Sequence, residues 1–148
     1  MCLGNICRSP AAEAAIAEAA SEAGIDIEVD SAGTGAYHVG EPPDERMRRA
    51  AAEAGLSISG RARQFEPADF DRFDLIVVMD RANLRDVVAQ APDPDAIDRV
   101  RLFRSFDPTA DPADLDVPDP YYGGADGFAQ VVGMVRRAAA GLVSGIDR

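Results

Sequence analysis

Hydrophobic and polar positions along the chain alternate between helix-type and strand-type patterns. Four segments have helical composition, and the first two run from proline or serine at the start to glycine at the end. Asp80 stands directly before the third segment, where its side chain would cap the N-terminus of that helix. The pattern therefore predicts helices over residues 10–23, 42–55, 81–91 and 126–143.

Three shorter segments have the pattern of strands. Residues 25–29 alternate apolar and polar side chains, whereas residues 75–79 form a continuous apolar run, which is typical of a strand buried on both faces of a parallel sheet. A short strand is also expected within residues 98–103. Strands that alternate with helices predict an α/β fold: a single domain over residues 1–148 with a parallel sheet and flanking helices.

The stretch CLGNICRSP, residues 2–10, runs directly into the first helix and has the composition of a phosphate-binding loop. Backbone N–H groups of a curled loop converge on an oxyanion, the helix N-terminus adds positive charge, and Gly4 permits tight backbone turns. Arg8 would clamp two oxygens. The positive electrostatic potential of the loop amides, the helix N-terminus and Arg8 also favours a thiolate at Cys2, and Ser9 could donate a hydrogen bond to its sulfur. The predicted phosphate-binding residues are Leu3, Gly4, Asn5, Ile6, Cys7, Arg8 and Ser9.

Composition limits the partners that the protein can have. The net charge is −11 and the isoelectric point is near 4.4, which argues against nonspecific binding to nucleic acid or to anionic membranes. A local positive pocket remains compatible with an anionic substrate, because salt screens distant charges within about 10 Å. Neither a signal peptide nor a membrane span is recognisable, so we expect a cytoplasmic protein, with secretion lacking a signal peptide left open.

The complete string C-L-G-N-I-C-R-S-P before an alanine-rich helix resembles the low molecular weight protein tyrosine phosphatase family. Four further stretches are similar to that family in order and spacing. They are DSAGTGAYHVGEPPDERM at 30–47, RARQF at 61–65, DLIVVMDRANL at 74–84 and DPYYGG at 119–124. The resemblance implies that Ser31 hydrogen-bonds the loop residue Asn5 and so supports the loop.

Phosphate transfer to a cysteine also requires an acid that protonates the leaving oxygen. Aspartate precedes proline at Asp107, Asp111 and Asp119, and the residues alone do not choose among the three. The resemblance favours Asp119. It implies a two-step reaction without a metal or a cofactor: Cys2 attacks phosphorus, Asp119 protonates the leaving group, Arg8 stabilises the charge, and water hydrolyses the phosphocysteine intermediate.

Three tyrosines are candidates for the walls of a substrate slot. Tyr37 occupies a place where many relatives carry tryptophan, and Tyr121 and Tyr122 follow the predicted acid. A slot about as deep as a phenyl ring favours phosphotyrosine-containing proteins over phosphoserine. A phosphoarginine phosphatase is a weaker alternative, because such relatives tend to carry threonine where this chain has Ile6. A thiol-relay arsenate reductase is disfavoured because no cysteine follows Cys7. A catalytically silent phosphate- or phosphotyrosine-binding module is the alternative from another class.

Several residues have two interpretations. Cys7 is expected to trap an oxidised Cys2 as a reversible disulfide, although it could simply be a small buried residue. His38, the only histidine, is expected to be a surface group of its loop, and Asp80 is expected to act as a helix cap rather than in catalysis. No metal cluster can be assembled around His38 when both cysteines are committed elsewhere.

Two departures from the family pattern carry further expectations. Gly60 stands where relatives commonly place a histidine that supports the loop, so that support is expected to be absent or replaced. Relatives also have a short apolar strand before the nucleophile, whereas only Met1 precedes Cys2, so we expect the first strand to be truncated. The oligomeric state is expected to be a monomer or a weak homodimer.

Overall fold

The computed structural model describes residues 1–120 and 125–146. In chain order the described elements are helix α1 (Arg8–Ala23), helix α2 (Glu45–Glu53), helix α3 (Asp69–Arg72), strand β1 (Ile76–Val78), helix α4 (Arg81–Val88), helix α5 (Pro94–Asp98), strand β2 (Val100–Leu102), a 3₁₀ turn (Phe103–Phe106) and helix α6 (Ala125–Ile146). All four predicted helices are present within a few residues of their expected bounds. The short helices α3 and α5 and the 3₁₀ turn carry too few residues to show a period in the sequence.

The sheet is parallel, and this confirms the predicted α/β class with flanking helices. Strand β1 pairs with β2 so that Ile76 lies opposite Val100, and α4 and α5 make the connection between the two strands. On the other side of β1, the Met1 amino group donates to the Val77 carbonyl at 2.9 Å, and the Met79 amide donates to the Met1 carbonyl at 3.0 Å. Cys2 therefore follows a backbone segment that is hydrogen-bonded directly beside β1.

The strand predicted over residues 25–29 is not present among the described strands, and this part of the prediction is wrong. Ile25, Ile27 and Val29 do pack against the core as the alternation predicted, but their backbone joins no ladder. A cavity of about 380 Å³ lies between residues 26–32 and residues 72–77, with Met1 among its lining residues. Side-chain alternation indicates which face is buried, whereas a strand also needs a neighbour within hydrogen-bonding distance.

Helix boundaries follow local chemistry. Asp44 caps α2 by accepting from the Arg46 and Met47 amides, and Asp80 caps α4 by accepting from the Asn83 amide at 2.8 Å. Helix α1 begins at Arg8, two residues before the predicted start, and ends at Gly24, whose φ of 70° is left-handed. The earlier start places Arg8 and Ser9 in the first turn of α1, next to the loop that precedes it.

The core is divided between the two faces of the small sheet. Helices α1, α2 and α6 enclose one cluster, in which small residues of α1 such as Ala11 and Ala15 meet Val131 and Val135 of α6. The second cluster contains Met1, Phe70 and the inward side chains of β1, β2 and α4. The phosphate-binding loop lies between Met1, which belongs to the second cluster, and α1, which belongs to the first. Each end of the loop is therefore held by one of the two clusters.

Gly141 on α6 provides a sharp test of this packing. A Cβ atom at Gly141 would lie 1.8 Å from the Phe106 carbonyl oxygen, so Gly141→Ala is expected to force the 3₁₀ turn away from α6. The expected loss is about 1–3 kcal/mol of unfolding free energy, measured by denaturant unfolding. Gly145→Ala on the same helix is the control, because a Cβ there meets no atom within 4 Å. Equal stabilities for the two variants would contradict the packing described.

Candidate active site

The Cys2 sulfur lies inside the loop that residues 3–7 form before α1. The side chain is buried, the Asn5 amide donates to Sγ at 3.3 Å, and the Ser9 hydroxyl oxygen is 3.1 Å from Sγ. Asn5 has a φ of 57°, a left-handed conformation that asparagine tolerates better than most residues, and this turn curls the loop toward the sulfur. Hydrogen-bond donors thus converge on the sulfur as they would on an anion.

The Asn5 side chain ties the loop to three other parts of the chain. Its Nδ2 donates to the Ser9 hydroxyl at 2.7 Å and to the Ser31 hydroxyl at 3.0 Å. Its Oδ1 accepts from the Arg63 amide at 3.0 Å. Because the amide contributes both its donors and its acceptor to fixed partners, the strained backbone of Asn5 is held in place from outside the loop.

The Arg8 guanidinium is buried and is held from one end. Its Nη1 donates to Asp80 Oδ2 at 2.6 Å and to the Val117 carbonyl at 2.9 Å, while Nη2 lies 3.6 Å from Asp119 Oδ2. The expectation that Asp80 acts as a helix cap is correct but incomplete, because the same carboxylate also orients Arg8. The sequence held a signal for this role, since Asp80 comes two residues after the end of β1, at the edge of the sheet where ligands bind.

The segment that carries Asp119 is anchored to the carboxyl end of β1. The Val117 amide donates to the Met79 carbonyl at 2.7 Å, and Asp116 Oδ1 accepts from the Arg81 amide at 3.1 Å. Pro118 and Pro120 restrict the backbone on either side of Asp119. The Asp119 side chain is 39% exposed, so it is open to a substrate while its backbone is fixed.

The other two aspartates that precede proline lie in different surroundings. Asp107 is buried; burial opposes its ionisation, but hydrogen bonds from Thr109 and Arg137 outweigh this and hold its pKa below the ordinary range. Asp111 is exposed and accepts from the Ala113 amide in a turn. Neither lines the cavity around Cys2, so the structure brings Asp119 alone of the three to this site.

A cavity of about 490 Å³ opens above the loop. Its lining residues are Cys2, Leu3, Gly4, Ile6, Cys7, Arg8, Tyr37, His38 and Asp119. Tyr37 is 78% exposed at the rim, which leaves its ring free to meet a bound group. Tyr121 and Tyr122, the other two predicted wall residues, lie outside the described residues.

His38 lies partly exposed on its loop, as expected, and also reaches the cavity above Cys2. The imidazole is partly buried and lines the cavity, its Nδ1 is hydrogen-bonded to Glu41, and its Cδ2 would lie 2.9 Å from a Cβ at Gly4. A side chain at position 4 would therefore displace the histidine, whereas the φ of Gly4 is not positive, so the expected use of glycine for a special backbone conformation is not seen there. The signal in the sequence was the position of His38 directly after Tyr37, in the same rim segment.

Cys7 is a free thiol at the N-terminal end of α1, and Cys2 is also unbridged. Burial, with smaller effects of the negative charges of Asp44, Cys2 and Asp119, raises the pKa of Cys7 to about 12. The raised pKa disfavours the thiolate form of Cys7 at neutral pH. Its predicted role in trapping an oxidised Cys2 stays a prediction.

Residues 1–120 and 125–146 contain no group of three or more histidine, cysteine, aspartate or glutamate side chains placed to hold a metal ion. In the same ranges no helix is both long and apolar enough to cross a bilayer.

An α/β fold that places a cysteine in an anion-binding loop, a buried arginine and a partly exposed carboxylate around one cavity defines a phosphatase of the cysteine-nucleophile class. The family model described as low molecular weight phosphotyrosine protein phosphatase matches residues 1–148. The chain belongs to this family.

Individual relatives agree with the family assignment. A low molecular weight protein-tyrosine-phosphatase of Streptomyces coelicolor is 45% identical over 148 residues, which cover 99% of this chain and 90% of that protein. The human low molecular weight phosphotyrosine protein phosphatase is 39% identical over 134 residues, covering 88% of this chain and 83% of the human protein. The crystal structure of a protein tyrosine phosphatase from Entamoeba histolytica superposes with a TM-score of 0.94 at 34% identity, covering 99% of this chain and 93% of that one.

Proposed function

We propose that this protein hydrolyses phosphotyrosine monoesters in proteins through a phosphocysteine intermediate, using one catalytic domain over residues 1–148. The observation that carries the proposal is the position of the Cys2 sulfur. It accepts from the Asn5 amide and contacts the Ser9 hydroxyl in a loop that ends at the buried cation Arg8. These groups favour a thiolate, and the same groups favour a bound phosphate.

Phosphate binding would use the loop backbone and Arg8. The amide of Asn5 already donates to the Cys2 sulfur, and the amides of residues 3–8 would surround a bound phosphate. Ser9 lies in the first turn of α1, where the helix dipole favours an anion. Arg8 is held by Asp80 and the Val117 carbonyl, so its planar fork is ordered before the substrate arrives. Less conformational entropy is then lost when phosphate binds.

In the first step Cys2 Sγ attacks phosphorus as the bond to the leaving oxygen breaks. Asp119, in its protonated form, gives its proton to that oxygen, and Arg8 with the loop amides stabilises the charge on the three equatorial oxygens. The distance of 3.6 Å between Arg8 Nη2 and Asp119 Oδ2 supports this arrangement, because both groups reach the same cavity.

In the second step water attacks the phosphocysteine. The Asp119 carboxylate accepts a proton from the water, the sulfur–phosphorus bond breaks, and inorganic phosphate leaves. Cys2 returns as a thiolate, and the hydrogen bond from Ser9 helps to stabilise it as the leaving group. Every proton and bond is accounted for by residues of this chain, so the reaction as proposed uses no cofactor.

Preference for phosphotyrosine would come from the cavity walls. The exposed ring of Tyr37 at the rim supports stacking against an aromatic substrate, and we propose Tyr121 and Tyr122 as the opposite wall. The shorter arm of phosphoserine would leave its phosphate above Cys2. The buried Ile6 side chain in the loop keeps the phosphoarginine alternative less favoured.

Matched peptides test the proposed substrate class. We expect the kcat/KM for a phosphotyrosine peptide to exceed that for the same peptide carrying phosphoserine or phosphoarginine by about 100-fold or more, with phosphate release as the readout. A higher kcat/KM for phosphoarginine would overturn the proposal in favour of its alternative. A folded protein that binds phosphotyrosine without releasing phosphate would establish the silent binding module instead.

We further propose that the protein acts in the cytoplasm as a monomer or a weak homodimer. Its net charge of −11 supports protein substrates rather than nucleic acid or anionic membranes as partners.

A further inference from the structure

The first turn of helix α4 donates to two carboxylates from different parts of the chain. Asp80, directly before the helix, accepts from the Asn83 amide at 2.8 Å. Asp116, which lies 35 residues after Arg81, accepts from the Arg81 amide through Oδ1 at 3.1 Å. The Arg81 amide has no acceptor within its own helix, because the first N–H groups of a helix lack one. The Asp116 side chain therefore ties the segment that precedes Asp119 to the start of α4.

The backbone next to the Asp116 side chain is held from three directions. The Asp116 carbonyl accepts from Arg104 Nη1 at 2.8 Å. The Val117 amide donates to the Met79 carbonyl at 2.7 Å, and the Val117 carbonyl accepts from Arg8 Nη1 at 2.9 Å. These three bonds use backbone atoms of the segment, whereas the bond from Asp116 Oδ1 uses a side chain. Asp116 is therefore the residue of this pair whose anchoring a substitution can remove.

Arg8 and Asp116 belong to one closed ring of hydrogen bonds. Arg8 Nη1 donates to Asp80 Oδ2 at 2.6 Å, and Asp80 caps the same helix whose first amide donates to Asp116. The ring closes at Val117, which follows Asp116 and whose carbonyl accepts from Arg8. Asp119, two residues beyond Val117, places Oδ2 at 3.6 Å from Arg8 Nη2. The ring therefore sets where the Asp119 backbone stands relative to the Arg8 guanidinium.

We propose that Asp116 is a positioning residue for the general acid: by accepting from the first amide of α4, it holds the backbone before Asp119 where proton transfer to the leaving oxygen requires it. The inference rests on the proposed role of Asp119. Asp116 does not line the cavity above Cys2, so it acts through the backbone that it anchors. Its loss is expected to impair proton donation and to leave phosphate binding nearly unchanged.

Asp116→Ala is the first test, with kcat/KM as the readout because it reports the steps up to phosphate transfer to Cys2. Loss of one hydrogen bond is expected to lower kcat/KM about 3- to 10-fold for phenyl phosphate, whose leaving oxygen needs a proton, and less than about 2-fold for p-nitrophenyl phosphate. Asp116→Asn keeps an oxygen acceptor and should restore most of the rate. Asp114→Ala is the control. The Asp114 side chain is 73% exposed and its described contact is with Arg104 at 3.9 Å, so both rates should stay unchanged.

A double-mutant cycle shows whether Asp116 acts through Asp119. Once Asp119→Asn has removed the proton donor, adding Asp116→Ala should cause no further loss of kcat/KM for phenyl phosphate. Additive losses, equal losses for the two esters, or an asparagine variant as impaired as the alanine variant would each overturn the proposal. The inhibition constant of inorganic phosphate should change by less than about 2-fold in Asp116→Ala. A larger rise would place the effect on Arg8 and would also overturn the role assigned to Asp116.

Hydrogen exchange tests the anchor without turnover. In Asp116→Ala the amides of Arg81 and Val117 are expected to exchange about 3- to 10-fold faster than in the unmodified protein, as measured by NMR. Unchanged exchange at both amides would contradict the anchoring. Faster exchange in a protein that releases no phosphate from either ester would confirm the anchor and refute the proposed activity. The failure of the anchor and the failure of the proposed function are therefore distinguishable.

Discussion

Replacing the nucleophile, Cys2→Ser, is expected to lower kcat by at least about 10⁴-fold while phosphate binding persists. The serine hydroxyl keeps its proton at neutral pH and is a far weaker nucleophile than a thiolate. The binding groups, the loop amides and Arg8, are unchanged by the substitution.

The measurement pairs turnover with binding in the same variant. Phosphate release from p-nitrophenyl phosphate reports turnover, and protection of the variant against thermal unfolding by inorganic phosphate reports the intact loop. A variant that binds phosphate but does not turn over assigns the chemistry to Cys2. Residual turnover within 10-fold of the unmodified protein would contradict the nucleophilic role.

The loop could be anticipated from the sequence because its chemistry is contiguous. Glycine, cysteine, arginine and the helix start stand within nine residues, so local rules on backbone conformation and helix ends were sufficient. The sequence therefore indicated the chemistry of Cys2, Ser9 and Arg8, although distant partners such as Asp80 and Val117 hold Arg8 in place. The same holds for helices α2 and α4, whose caps Asp44 and Asp80 directly precede them.

The contacts that the sequence could not reveal join residues far apart in the chain. Arg8 and Asp80 are separated by 72 positions, and Arg8 and the Val117 carbonyl by 109. No local pattern encodes such a pair, because it depends on how β1 and the segment before Asp119 meet. Residues 25–29 show the same limit. Their alternation of apolar and polar side chains predicted which side chains are buried, but strand pairing depends on a neighbouring backbone that the alternation does not reveal.

Asp119→Asn is expected to lower kcat by about 10²- to 10⁴-fold for phenyl phosphate, whose leaving group needs a proton, and to leave KM nearly unchanged. The loss should be smaller for p-nitrophenyl phosphate, since p-nitrophenolate departs more readily without protonation. This dependence on the leaving group separates a proton donor from a residue that merely orients Arg8, which would affect both substrates equally. Steady-state kinetics with the two esters provide the measurement.

Asp111→Asn is the matched control, because it changes the same residue type in the same aspartate–proline context. Asp111 is exposed, engages only a local turn among its described contacts, and does not line the cavity, so both esters should be hydrolysed at unchanged rates. An equal loss in Asp111→Asn would assign the effect to stiffness of the whole proline-rich segment. A loss of kcat that is confined to Asp119→Asn and is larger for phenyl phosphate would show that the Asp119 carboxyl group donates a proton to the leaving oxygen.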